Sequence, residues 1–179
     1  MVTLYRTIAF PILLFLIFTN RIDIFKWLLI ISFLTDAVDG FLARTFKANS
    51  VLGAKLDSIG DDLTILAAVI GLSVAKTEFL KTEWLIFAIP LGLFFIQLAA
   101  AIIRYRKMSS FHTYLAKTAA VLQGFFLCSM FLFDQPAYWL FYTTALITTL
   151  ELIEEIIIVF VLHEWKTNVR GLYWVIRDS

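Results

Sequence analysis

Aspartates recur at helical spacing in two neighbouring stretches of the chain. One helix face, at spacings i, i+3, i+4 and i+7, carries Asp36, Asp39, Gly40 and Ala43. A second face, at i, i+4 and i+8, carries Gly53, Asp57 and Asp61. Because only a short polar turn, residues 47–50, separates the two helices, we expect them to pack antiparallel with these faces in contact. Four carboxylates at such range need a counter-charge, and oxygen ligands alone favour Mg²⁺, Mn²⁺ or Ca²⁺ over zinc.

Two glycines and one arginine near these aspartates favour a ligand that includes a phosphate. Gly40 and Gly53 each cost a helix about 1 kcal/mol relative to alanine, and their missing side chains leave room for a ligand. Arg44 has the planar donors that suit phosphate, although a plain cytoplasmic charge is the alternative interpretation. Asp62 points about 100° away from Asp61 and is interpreted as peripheral. A carboxylate in such a group can also act as a general base, but spacing does not rank the four acids.

These intervals resemble the signature of the CDP-alcohol phosphotransferase family, D-x2-D-G-x2-A-R-x8-G-x3-D-x3-D. All eight fixed positions are filled: Asp36, Asp39, Gly40, Ala43, Arg44, Gly53, Asp57 and Asp61. The resemblance implies that the first three aspartates bind one or two Mg or Mn ions. It implies that Asp61 binds or lies beside the metal and acts as general base. The cytidine diphosphate group would be held by Asp36, Gly40, Ala43, Arg44, Gly53 and Asp57.

The resemblance further implies a homodimer that transfers the phosphatidyl group of CDP-diacylglycerol to a small alcohol and releases CMP. It places the acceptor pocket near the basic residues after the fourth apolar segment, where Arg104 and Lys117 are the best candidates because each borders a span. Phosphatidylglycerophosphate synthases carry a run here that Lys117 and Gln123 match, but its Gly, second Lys and following Thr are missing. Glycerol 3-phosphate or an inositol phosphate is the favoured acceptor, and inositol or serine is the alternative.

The composition predicts a polytopic membrane protein. The 179 residues suit one domain over residues 1–179, and a hydrophobic fraction of 61% exceeds that of soluble globules. Since a span needs about 20 apolar residues, six segments qualify or nearly so: 3–19, 24–45, 51–74, 83–103, 114–133 and 137–163. We therefore predict an all-α bundle of six transmembrane helices. The net charge of +1 and the lack of a long basic run argue against a nucleic-acid partner.

The charge distribution predicts an orientation in the bilayer. With the N-terminus inside, eleven of the fifteen Lys and Arg residues lie on the cytoplasmic side. Both termini and the acidic stretch are then cytoplasmic, and we expect a prokaryotic cytoplasmic membrane. Residues 164–179 combine Trp165, Tyr173 and Trp174 with basic residues, which suits an interfacial segment in the headgroup layer, a disordered tail being the alternative.

Three glutamates lie near the middle of the sixth apolar segment. Glu151 and Glu155 share a helix face and Glu154 is adjacent. One interpretation is binding of a cationic or hydroxyl-rich acceptor by Glu151 and Glu155. The alternative is internal pairing with Arg or Lys, or a protonated acid bonded to a backbone carbonyl. These glutamates also leave open a divalent-cation carrier, although the tightest acidic cluster lies at one end of the helices rather than at the midplane. An intramembrane prenyltransferase is disfavoured because its two Asp-rich motifs are separate.

Overall fold

The computed structural model describes an all-α protein, as the sequence predicts. It covers residues 2–46, 51–107, 111, 113–162, 164–166 and 169–177; for residues 2–8, 36–46, 51–59, 61 and 62 it describes the backbone alone. The elements of this described part are helices: α1 Val2–Phe18, α2 Ile22–Phe46, α3 Val51–Ala75, α4 Thr77–Thr82, α5 Trp84–Tyr105, α6 Tyr114–Leu132, α7 Tyr138–Val161 and α8 Leu172–Arg177. The six long helices begin and end within two residues of the predicted spans.

Length and composition single out two of these helices as membrane-spanning candidates within the described residues. They are α5 and α6. Only 11% of the most apolar stretch of α5 is buried inside the protein, so its apolar side chains face outwards. The described parts of α1 and α3 contribute shorter apolar stretches, Ala9–Phe18 and Leu63–Ala75. α7 carries three glutamates, which makes it a costlier span than α5 or α6. The six-span bundle therefore stays a prediction.

The chain divides into two compact units, and the predicted single domain over residues 1–179 stays a prediction. The first unit comprises Met1–Leu80 and Leu127–Gln135. In it α1 packs against both α2 and α3, and α2 packs against α3. Because only four residues separate α2 from α3, these packed helices run antiparallel. Its fully buried side chains include Leu13, Ile17, Phe25, Leu29 and Leu72.

A helix-ending turn sets the angle between α1 and α2. Asn20 has a left-handed backbone with φ of 56°. Its N–H donates to the Ile17 carbonyl over 3.0 Å, and the Arg21 N–H donates to the Leu16 carbonyl over 2.8 Å. This pair of bonds is the Schellman motif, which satisfies the last carbonyls of a helix and reverses the chain. Asparagine suits the position because its side chain tolerates the left-handed region.

A glycine allows a close contact between α2 and α3 in the first unit. A Cβ built on Gly71 in α3 would lie 2.7 Å from the ring of Phe25 in α2. The same ring makes an edge-to-face contact with Phe131 near the end of α6, with ring centroids 5.0 Å apart. Any larger side chain at Gly71 would push Phe25 away. This packing fixes α2 relative to α3, which together carry the acidic motif.

The second unit comprises Lys81–Phe126 and Pro136–Ser179. In it α5 packs along α7, and α8 packs on α7. Near one end, the Phe141 ring lies 5.0 Å from Phe87 and 5.3 Å from Phe126. At the other end is a compact apolar cluster, which we call the end cluster, formed by Ala101, Phe111, Ile158, Val159, Leu162 and Val175.

Candidate active site

The acidic motif lies on the packed helix pair of the first unit. Five of its positions are in α2, namely Asp36, Asp39, Gly40, Ala43 and Arg44. The remaining three, Gly53, Asp57 and Asp61, are in α3. Their side chains and residues 47–50 lie outside the described residues. The grouping of the four carboxylates around a metal therefore stays a prediction.

The described turns next to the motif are tightly packed and internally satisfied. Ser32, one turn before Asp36, is 1% exposed and donates its hydroxyl to the Leu28 carbonyl over 2.9 Å. Thr64, just after Asp61, is 5% exposed and donates to the Gly60 carbonyl over 2.8 Å. Because each hydroxyl bonds within its own helix, both can be buried without an orphaned donor.

Arg104, a predicted acceptor-binding residue, has a structural contact in the second unit. Its Nε and Nη2 both donate to the Leu162 carbonyl at 3.2 Å. The neighbouring Tyr105 hydroxyl lies 2.8 Å from the same carbonyl and 2.9 Å from that of Val159, and so caps the end of α7 with Arg104. The Nη1 group makes no hydrogen bond to the described part of the chain. Arg104 thus retains donors for a ligand, and its acceptor role stays a prediction.

The other predicted acceptor-binding base, Lys117, lies in the first turn of α6. Its Nζ is 5.4 Å from the centre of the Tyr114 ring, and the side chain is exposed. α6 begins at a buried N-cap, where the Thr113 hydroxyl accepts the Ala116 N–H over 3.0 Å. This cap positions Lys117 on the same end of the unit as Arg104. His112 lies outside the described residues.

Two of the three glutamates of α7 have partners that differ from the expected ones. Glu155 is 9% exposed and accepts a hydrogen bond from Gln97 of α5 over 2.8 Å. Glu154 accepts the backbone N–H of Leu172 over 2.9 Å, and its Oε2 is buried without a hydrogen bond to the described part of the chain. The partners are therefore an amide and a backbone N–H, rather than Arg, Lys or a carbonyl. Glu151 is half-buried.

Two buried threonines, Thr144 and Thr148, lie on α7 before these glutamates, and together they form what we call the polar face of α7. Thr148 accepts a hydrogen bond from Gln123 over 2.9 Å. Thr144 donates to the Leu122 carbonyl over 3.4 Å. Gln123 matches the phosphatidylglycerophosphate synthase pattern, but here its amide is engaged with α7. The polar face is thus a set of helix-to-helix bonds that hold α5 and α6 against α7.

Metal-binding geometry is not found among the residues whose side chains the structure describes. No group of three or more His, Cys, Asp or Glu in that part is arranged to hold a metal ion. The glutamates of α7 are included in that part, so they do not form such a group. Asp36, Asp39, Asp57 and Asp61 are outside it. The only cysteine in the sequence, Cys128, is half-buried and free.

The fold and the motif define a class of protein: an all-helical, apolar chain with an acidic motif on an antiparallel helix pair. The chain belongs to the CDP-alcohol phosphatidyltransferase family, whose model matches residues 1–162. Members of this family are membrane-associated and transfer a phosphatidyl group from a CDP-alcohol to an alcohol, generally with a divalent cation. Comparison with curated proteins and with solved structures finds no significant match.

Proposed function

We propose that the protein transfers the phosphatidyl group of CDP-diacylglycerol to a small alcohol in a reaction that depends on Mg or Mn. The observation that carries this proposal is the placement of all eight signature positions on α2 and α3, two helices that pack antiparallel. Two packed helices are the arrangement in which carboxylates at these spacings can converge. Family membership supplies the reaction class.

The residues of the motif have separate roles in this proposal. Asp36, Asp39 and Asp57 would hold one or two cations, since hard oxygen donors suit Mg and Mn. A bound metal would supply the positive charge that neutralises the diphosphate. Asp61 takes the proton of the acceptor hydroxyl, whose oxygen forms the new bond to the phosphatidyl phosphorus while the bond from that phosphorus to CMP breaks. The room for the cytidine diphosphate group is left by Gly40, Ala43 and Gly53, with Arg44 as a phosphate donor.

The favoured acceptor carries a phosphate, as in glycerol 3-phosphate or an inositol phosphate. Arg104 has donors beyond its bond to Leu162, and Lys117 is exposed at the same end of the second unit. A phosphate dianion gains charge-assisted bonds from such groups, which a neutral alcohol does not. Glu155 is bound to Gln97 and is less available to a cationic acceptor, so inositol and serine are the second choice, with Glu151 as the remaining acidic candidate.

The proposed location is a membrane with the predicted six spans, both termini cytoplasmic. Support comes from the charges of the second unit. The end at which α5 stops, α6 begins and α7 stops carries Arg104, Arg106, Lys107, Lys117, Lys166, Arg170 and Arg177. Such an excess of cations marks a cytoplasmic end. A homodimer is part of the proposal through the family resemblance, and a prokaryotic cytoplasmic membrane is part of the proposed location.

One assay tests the reaction. Purified protein with CDP-diacylglycerol and Mn²⁺ or Mg²⁺ is given glycerol 3-phosphate, inositol phosphate, inositol or serine in turn, and CMP is measured. We expect metal-dependent CMP release with one of the phosphorylated alcohols. Release with serine or inositol instead would replace the favoured acceptor but keep the reaction. Divalent-cation flux in liposomes without CMP release would replace the enzyme with a carrier.

A further inference from the structure

The C-terminal segment, described over residues 164–166 and 169–177, contacts the rest of the second unit at several points. Val175 of α8 is 7% exposed and belongs to the end cluster with residues of α5 and α7, and Leu172 packs against it. The Leu172 N–H donates to Glu154, and the Arg170 carbonyl accepts the N–H of Tyr114, the first residue of α6, over 3.1 Å. A six-residue helix such as α8 is too short to be stable alone, so these contacts hold it in place.

A glycine permits this close attachment. Gly171 has a φ of 155°, and a Cβ at that position would lie 3.1 Å from Glu154 Oε1 and 3.3 Å from the Trp174 ring. A larger residue would therefore separate the segment from α7. The Trp174 ring in turn lies 5.6 Å from that of Tyr114. The segment is thus fixed beside the first turn of α6, at the end of the two helices that qualify as membrane spans.

The segment carries exposed apolar and exposed basic side chains, which we call its exposed face. Tyr173 is 65% and Ile176 is 61% exposed, although Val175 between them is buried. The exposed cations of the segment are Lys166, Arg170 and Arg177. None of these three is in an ion pair with a carboxylate that the structure describes. Lys107 adds a further cation, with its Nζ 4.7 Å from the Trp165 ring.

We propose that this face, formed by Lys166, Arg170, Tyr173, Ile176 and Arg177, binds the anionic phospholipid headgroups of the bilayer. An exposed tyrosine and an exposed isoleucine at the end of a span are more stable in the boundary between headgroups and acyl chains than in water. The cations beside them gain from anionic phosphates, by about fivefold in affinity per residue. A second copy of the same face is a poorer partner because like charges would meet. The inference rests on the proposed membrane location.

Hydrogen exchange in nanodiscs tests the proposal on the full chain. The amide exchange of residues 169–177 is measured in phosphatidylcholine nanodiscs and in nanodiscs that also contain phosphatidylglycerol. We expect slower exchange with the anionic lipid, and loss of that difference at about 1 M salt, where the screening length falls to about 3 Å. The triple variant Lys166→Gln, Arg170→Gln, Arg177→Gln should lose the difference as well. Arg21→Gln, at the turn between α1 and α2, is the control that should keep it.

Exchange that is equal in the two lipids, or a difference that survives the triple variant, would overturn the proposal. Protection that depends on protein concentration rather than on lipid would overturn it in favour of contact between two copies. Unchanged exchange in α7 shows that the variants remain folded. Catalysis plays no part in this readout, so failure of the proposed reaction is seen separately as absent CMP release. A chain that stays in solution without detergent contradicts the membrane location before any exchange is measured.

Discussion

Gln97 of α5 donates a hydrogen bond over 2.8 Å to Glu155 of α7, and both side chains are buried. This bond joins the side chains of α5 and α7 directly, and these two helices pack along each other in the second unit. A buried carboxyl group without a partner is costly, whereas a bonded one adds little net stability. The pair therefore specifies how α5 and α7 align. The loss of stability on mutation should depend on whether one partner or both are changed.

We expect Gln97→Leu to destabilise the protein by about 1–3 kcal/mol, because Glu155 would lose its donor. The double variant Gln97→Leu, Glu155→Leu should recover most of the loss, since Glu155 is then no longer a buried carboxyl group without its donor. Thermal unfolding in detergent measures both. Glu155→Gln is the matched control that keeps a bonding partner. Equal stability of Gln97→Leu and the unmodified protein would contradict the prediction.

Gly71→Val should destabilise the first unit by about 1–3 kcal/mol, because the added carbons meet the Phe25 ring. The matched control is Gly92→Ala in α5, where a Cβ would meet no atom within 4 Å. That control should be neutral or slightly stabilising, since alanine favours a helix. Unfolding temperatures of the two variants compare the sites. Combining Gly71→Val with Phe25→Leu should restore part of the lost stability, and a fully additive loss would contradict the proposed clash.

Asp36→Asn, Asp39→Asn and Asp57→Asn should each lower turnover by at least ~10²-fold through weaker metal binding, because charge stabilisation at a transferring phosphate contributes several kcal/mol. Chelation of divalent cations should abolish CMP release, and added Mn²⁺ should restore it. Asp62→Asn, next to Asp61 but on another side of α3, is the control and should retain most activity. Near-normal turnover of Asp39→Asn at saturating Mg²⁺ would count against its role as a ligand.

Arg104→Ala and Lys117→Ala should raise the KM for a phosphorylated acceptor by ~10-fold or more and leave that for CDP-diacylglycerol nearly unchanged, since one charge-assisted bond is worth about 1.5–3 kcal/mol. Arg104 also caps α7, so its variant should unfold at a lower temperature. Tyr105→Phe removes a capping bond alone and separates the two effects. A rise in acceptor KM in Tyr105→Phe equal to that of Arg104→Ala would assign the effect to the cap.

The local pattern of the chain determined the long helices and the motif. Helix bounds could be predicted within two residues because apolar runs of span length end at polar turns. The positions of Asp36 to Asp61 on two helices followed from the same periodicity and the short connection between them. Neither α4 nor α8 was predicted as a helix, because six residues carry too little periodicity and depend on packing for their stability.

Only the tertiary structure decided the partners of the polar residues. Glu155 finds Gln97 at a separation of 58 residues, and Arg104 finds the carbonyl of Leu162 at the same separation. The bond from the Leu172 N–H to Glu154 holds the C-terminal segment against α7. From the sequence, both an interfacial segment and a disordered tail were open for this segment. Periodicity reports which residues share a face of one helix, but carries no information about which face of another helix will meet it. That choice depends on the shapes that pack together, such as Gly171 against Glu154 and Gly71 against Phe25.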